Sequence, residues 1–141
     1  MGTILAAAVY ERLLGLESPR FAAPPQKVDR AFWGPVAEEV AAQYNQKHER
    51  MVLGASRLSG GAAWDELRGR LAGLVPPASR IRDLLSRAGA ATRAEDIDCD
   101  RARLLAALQH AHELRARFTV LDLARLAGLW PAAAPEIVEQ L

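Results

Sequence analysis

The chain has 141 residues, 50% of them apolar and 25% charged, and its formal net charge is +1. This excludes a globally disordered chain and leaves enough length to bury a core, while no large net field points to nucleic acid or an anionic membrane. One cysteine, Cys99, excludes an internal disulfide and most cysteine-built metal sites.

Alanine and leucine supply 48 residues. Both favour helix, and no run of alternating β-branched or aromatic residues appears, so the pattern predicts an all-α chain, a multi-helix bundle. The first helix is expected over Thr3 to Leu16, with Leu5, Val9, Leu13 and Leu16 forming one apolar stripe. Its apolar run Ile4 to Tyr10 is too short to span a bilayer and lacks the basic flank of a signal peptide, so a cytoplasmic location without a membrane span is expected. Ser18-Pro19 ends this helix, and Phe21 to Val28, with Pro24-Pro25, reads as extended.

A second helix is expected from Pro35 to Leu58, with Val36, Val40 and Tyr44 on one face. Ser59-Gly60-Gly61 breaks the chain. A third helix carries Trp64, Leu67, Leu71 and Leu74 and stops at Pro76-Pro77. A fourth, Ser79 to Ala88, is expected to bury Ile81, Leu84 and Leu85, with Gly89 as its left-handed end. Thr92 and Glu95 have capping-box spacing and predict a short turn before Ile97. Asp100 caps a helix in which Leu104, Leu108 and Ala111 share a face. Thr119 caps another, with Val120, Leu123 and Ala127 inward and Gly128 ending it. A short helix follows Pro135. The whole chain, 1–141, reads as a single helical domain without a repeat or long flexible linker.

Little in this pattern carries chemistry. His110 and His112 are two apart, so on a continuous helix they point about 200° from each other and cannot share a metal as an i,i+4 pair does. With His48, they read as surface or partly buried structural residues. Cys99 lies between Asp98 and Asp100, whose charges oppose a thiolate, so it does not read as a nucleophile. The paired acids Glu38-Glu39 and Asp96/Asp98 fit solvated faces or helix starts. Trp33, Trp64 and Trp130 read as core anchors or interdomain contacts. The exception is Arg115 and Arg117, two apart and just before a helix N-terminus. There they would form an anion site with free backbone N–H groups. In the alternative reading they are solvated or pair with acids such as Glu113.

Three blocks, Leu84-Leu85-Ser86-Arg87-Ala88-Gly89-Ala90-Ala91-Thr92 leading to Glu95-Asp96-Ile97, then Leu114 to Leu123, then Gly128-Leu129, resemble the C-terminal region of the sn-glycerol-1-phosphate dehydrogenase family. Gly2-Thr3-Ile4-Leu5 and Tyr10-Glu11-Arg12-Leu13-Leu14 are similar to the helix that follows the His-Gly metal-ligand motif of those enzymes. The resemblance covers almost the whole chain, more weakly from Ser18 to Pro77. The family belongs to the metal-dependent alcohol dehydrogenase and dehydroquinate synthase superfamily, so the implied fold is the helical C-terminal domain of dehydroquinate synthase-like and iron-containing alcohol dehydrogenases.

The resemblance implies NAD(P)H-dependent reduction of dihydroxyacetone phosphate with a divalent metal, in a cleft between a nucleotide-binding domain and a helical domain. The family's aspartate and two histidine metal ligands, and its nucleotide-binding domain, would all precede Met1. None of His48, His110 or His112 matches a ligand position. No catalytic, cofactor-binding or metal-binding residue is therefore expected in this chain, which alone is expected to be catalytically silent. By analogy with dehydroquinate synthases, Arg115 and Arg117 are expected to contact the substrate phosphate.

The chain is then a fragment or split subunit whose partner is a nucleotide-binding domain or subunit in trans, or a second copy docked through an apolar helix face. The first helix is the one expected to expose that face, since Ala6, Ala7 and Ala8 make it apolar nearly all round. Two other readings stand: a free-standing, non-catalytic helical module for interaction or regulation, and part of a dehydroquinate synthase-like cyclase, against which the Arg-x-Arg-Phe-Thr block argues.

Overall fold

The computed structural model describes residues 1–140. Eight α-helices follow in order: α1 (Gly2–Leu14), α2 (Arg30–Trp33), α3 (Ala37–Leu58), α4 (Gly61–Ala72), α5 (Ala78–Arg87), α6 (Arg101–His110), α7 (Val120–Leu126) and α8 (Ala134–Glu139). Short 3-10 turns cover Gly34–Val36, Glu95–Ile97 and Ala111–Glu113. The described residues contain no strand, in line with the all-α expectation.

Local chemistry explains most boundaries. The Asp100 carboxylate accepts the Arg103 N–H at 2.8 Å and opens α6. Helix α5 ends where Gly89 adopts φ +69, and Ala90 and Gly89 donate back to Leu85 and Ser86. Those paired bonds satisfy carbonyls that a helix end otherwise leaves open. Pro35 lies in a 3-10 turn rather than at the start of α3. The earlier helix α2 is opened by Asp29, whose side chain accepts the Phe32 N–H at 3.0 Å. The Thr92 contacts go to Asp96, not to Glu95: the backbone N–H of Thr92 donates to that carboxylate at 2.9 Å. Thr92 lies outside helical conformation and before the 3-10 turn, so helical capping spacing does not apply.

Two hydrophobic clusters form the interior. The larger surrounds α1, which packs against α4, α5, α7 and α8. The expected exposed face of α1 is absent: Ile4, Leu5, Ala7, Ala8, Val9 and Leu13 are all buried. The alanines that make the helix apolar all round are small, which lets neighbours approach on several sides at once. The second cluster joins Val28, Val40, Tyr44, Met51 and Ala55 to Leu126. Helix α7 lies between the two, sending Leu123, Ala124 and Ala127 into one and Leu126 into the other. Helix α3 meets the Leu126 side chain of α7 at Gly54, where an added Cβ would stand 3.3 Å from Leu126 Cδ1.

Three expected core residues lie outside. Val36 is 48% exposed, Leu74 76% and Leu84 55%. Val36 belongs to the 3-10 turn and Leu74 follows the end of α4, so neither shares its helix's stripe. On α5, Ile81 and Leu85 pack against the larger cluster and Leu84 falls beside them toward solvent. Trp64 and Trp130 are buried, whereas Trp33 is only partly so.

Leu126→Ala removes a side chain that closes the second cluster, and a loss of about 2–5 kcal/mol is expected. Leu84→Ala is expected to change stability by no more than about 0.5 kcal/mol. Urea denaturation of the two variants checks both values.

Candidate functional site

Arg115 and Arg117 lie in the segment that links the turn Ala111–Glu113 to α7, and both are exposed. Among the described residues neither forms an ion pair. The segment itself is fixed on both flanks. At its far end Thr119 and Asp122 form a capping box: the Asp122 carboxylate accepts the Thr119 N–H at 2.8 Å and its hydroxyl at 2.9 Å. At its near end the buried Lys47 ammonium donates to the His112 carbonyl. In the middle, the Arg50 guanidinium donates to the Ala116 carbonyl at 2.8 Å.

The two flanks meet in one buried ion pair. Lys47 Nζ lies 2.8 Å from Asp122 Oδ1, and both side chains are fully buried. Such a pair loses several kcal/mol of hydration per ion, which only good geometry and further hydrogen bonds offset. Here Asp122 holds Thr119, Lys47 holds the His112 carbonyl, and the Tyr44 ring faces the ammonium at 5.5 Å. Asp122 thus already occupies the α7 N-terminus, so the Thr119 N–H is engaged rather than free for a bound anion.

Glu113 does not pair with the arginines. It turns inward, where its carboxylate accepts the indole N–H of Trp33 and the backbone N–H of Asp29, the latter at 3.4 Å to each oxygen. His110 Nδ1 and His112 Nε2 each lie 3.7 Å from the same carboxylate. The two histidines therefore converge, contrary to the continuous-helix expectation. The cause is that α6 ends at His110 and a 3-10 turn carries His112 round. His110 stacks on Phe32 with centroids 3.9 Å apart. His112 Nδ1 pairs with the Gln109 carbonyl at 2.9 Å, which makes that nitrogen the protonated one.

Burial, then the nearby Arg125 cation, lowers the His112 pKa to about 3. Burial likewise pushes the Tyr44 phenol above its ordinary range, with Arg125 opposing. Tyr44 donates to the Pro25 carbonyl at 3.3 Å, and His48 Nε2 lies 3.0 Å from the Pro24 carbonyl, so α3 holds the extended segment.

No group of three or more His, Cys, Asp or Glu side chains within reach of one ion occurs among the described residues. No described helix is long and apolar enough to cross a membrane.

Parts of the sequence blocks behind the resemblance meet near the start of α1. The Met1 backbone nitrogen donates to the Ala91 carbonyl at 2.9 Å, tying the start of α1 to the turn after Gly89. Gly2 and Leu5 share an apolar cavity of about 310 Å³ with Thr119, Val120 and Leu121. The start of α7 therefore borders the start of α1.

Over 59 residues, 42% of this chain, the sequence is 44% identical to the glycerol-1-phosphate dehydrogenase (NAD(P)+) of Halorubrum lacusprofundi. The match spans 16% of that protein's length. It supports a family relationship along that stretch, narrower than the near-complete resemblance read from the motifs. No family model matches the chain, and no solved structure matches it.

In the folded chain His112 stays neutral down to about pH 3, whereas in the unfolded chain it takes up a proton near pH 6.5. Between those values the unfolded state binds more protons. The associated stability is complete above pH 6.5 and is lost as pH falls toward 3. Urea midpoints measured from neutral pH down to pH 4 are expected to fall more steeply for the native chain than for His112→Asn.

Proposed function

We propose that this chain is the helical part of a glycerol-1-phosphate dehydrogenase-like oxidoreductase, working with a nucleotide-binding unit in the same polypeptide or in trans. The observation that carries this reading is that the start of α1 meets both the turn after Gly89, at Ala91, and the start of α7, at Thr119 to Leu121. These are the blocks that resemble the family, and the identity to the Halorubrum lacusprofundi enzyme supports it. They are distant in sequence, and a shared surface is what a contribution to one cleft requires.

In this reading the complete enzyme would use NAD(P)H as the hydride source and a divalent metal to polarise the carbonyl of dihydroxyacetone phosphate, and no residue of this chain is assigned to either. The chain's own contribution is recognition. Arg115 and Arg117 present two permanently charged guanidiniums on a short segment whose ends are pinned. A phosphate dianion accepts paired hydrogen bonds from such groups. Pinning reduces the ordering that binding must otherwise supply.

One observation favours a second reading, a free-standing helical module for interaction. Helix α1 is covered by its own neighbours, so the bundle does not need a partner to shield it.

A tag on this chain, used to isolate its native complex from the source cell, distinguishes the two. A nucleotide-binding unit of about 200 residues, joined or co-purifying, is the expected result. A bare monomer or homodimer of the helical chain would favour the interaction module. In the complete dehydrogenase, Arg117→Ala is expected to raise KM for the phosphorylated substrate about tenfold, from the loss of a charged hydrogen bond. An unchanged KM would remove Arg117 from the substrate site.

A further inference from the structure

A groove of about 500 Å³ lies against α3. Its long wall is the α3 stripe Arg50, Leu53, Gly54, Arg57 and Leu58, spaced as one helical face. Leu67 and Leu71 of α4, Phe118 of the segment before α7, and Tyr10 and Leu123 of α1 and α7 complete the lining. Five chain segments thus converge on one concavity, in the size range of small-molecule sites.

The charge of the lining is one-sided. Arg50 and Arg57 border it and no acidic residue does. Seven residues apart on one helix face, they sit roughly 10 Å from each other along the groove. Arg50 donates only to the carbonyls of Gln46 and Ala116, and Arg57 has no ion pair or hydrogen bond among the described residues. Leu53 and Phe118 remain 57% and 37% exposed at its edge. Apolar surface next to uncompensated guanidiniums fits a ligand with an apolar body and an anionic head.

We propose that this groove binds a single soluble amphiphilic anion, its alkyl or aryl body along Leu53, Leu67, Leu71 and Phe118 and its carboxylate or phosphate on Arg57 and Arg50. The recess between α3 and α4 favours one inserted molecule over a bilayer surface, which is met by protruding apolar residues. The assignment is separable from the dehydrogenase reading, since its anion contacts are Arg50 and Arg57 rather than Arg115 and Arg117, although Phe118 adjoins Arg117 and Arg50 holds the Ala116 carbonyl.

The test is isothermal titration of the intact chain with decyl phosphate below its micellar concentration, with circular dichroism to verify that the fold persists. Saturable one-to-one binding is expected, weakened about two- to fourfold for each methylene removed from the probe. Decyltrimethylammonium is expected to bind at least tenfold more weakly. Arg57→Gln at the surface is expected to weaken decyl phosphate binding about tenfold, and Leu53→Gln to weaken it as well. Equal binding of the cationic probe, indifference to both substitutions, or uptake of many molecules with loss of helical signal would each overturn the proposal. Binding to anionic phospholipid vesicles without binding of monomeric decyl phosphate would also overturn it, and would make the groove a membrane contact.

Discussion

The architecture depends on one buried ion pair, Lys47 with Asp122. Few interactions are as costly to assemble, because both charges leave water entirely. The compensation lies in what each charge also holds. Lys47 fixes the carbonyl of His112 and Asp122 fixes the N–H of Thr119. These two atoms bracket the segment that carries Arg115 and Arg117, so a pair deep in the bundle determines where two surface arginines can go. A segment tied only by surface contacts would not be constrained in this way.

Helix α7 makes this arrangement possible. It is short, and on its own it would be marginal in water. It persists because it is wedged between two hydrophobic clusters, with Leu123 and Ala124 on one side and Leu126 on the other. Its close approach to α3 at Gly54 brings Asp122 within reach of Lys47. On the same helix Arg50, Leu53, Gly54 and Arg57 line the apolar groove, which α4, Phe118 and Leu123 of α7 complete. The arginine segment and the groove are therefore two consequences of one helix packing.

Much of this was legible in the sequence, and the reasons for success and failure are local. Asp100, Gly89 and Thr119 each act through backbone groups a few residues away, so their roles follow from spacing alone. Burial depends on distant neighbours, and there the periodicity misled. Val36 and Leu74 fell outside their helices, and α1 became central rather than exposed. His110 and His112 converge on Glu113 because a 3-10 turn interrupts the helix between them, which spacing does not reveal. Lys47 had a signal that went unused. Val40, Tyr44, Lys47, Met51 and Ala55 form one stripe of buried residues on α3, and a lysine in such a stripe requires a buried acid. Which acid it is depends on the packing of α7, more than seventy residues further along the chain. The positions of Arg115 and Arg117 were readable as a motif, but the device that pins them was not.

A double-mutant cycle on Lys47→Met and Asp122→Asn, followed by urea denaturation, tests this most directly. The asparagine keeps an acceptor for Thr119 while removing the charge. Lys47→Met alone is predicted to cost about 3–5 kcal/mol, because it strands a buried carboxylate. The double variant is predicted to recover most of that loss. Single effects that add to within about 0.5 kcal/mol would mean the two residues act independently, and would contradict the central place given to the pair.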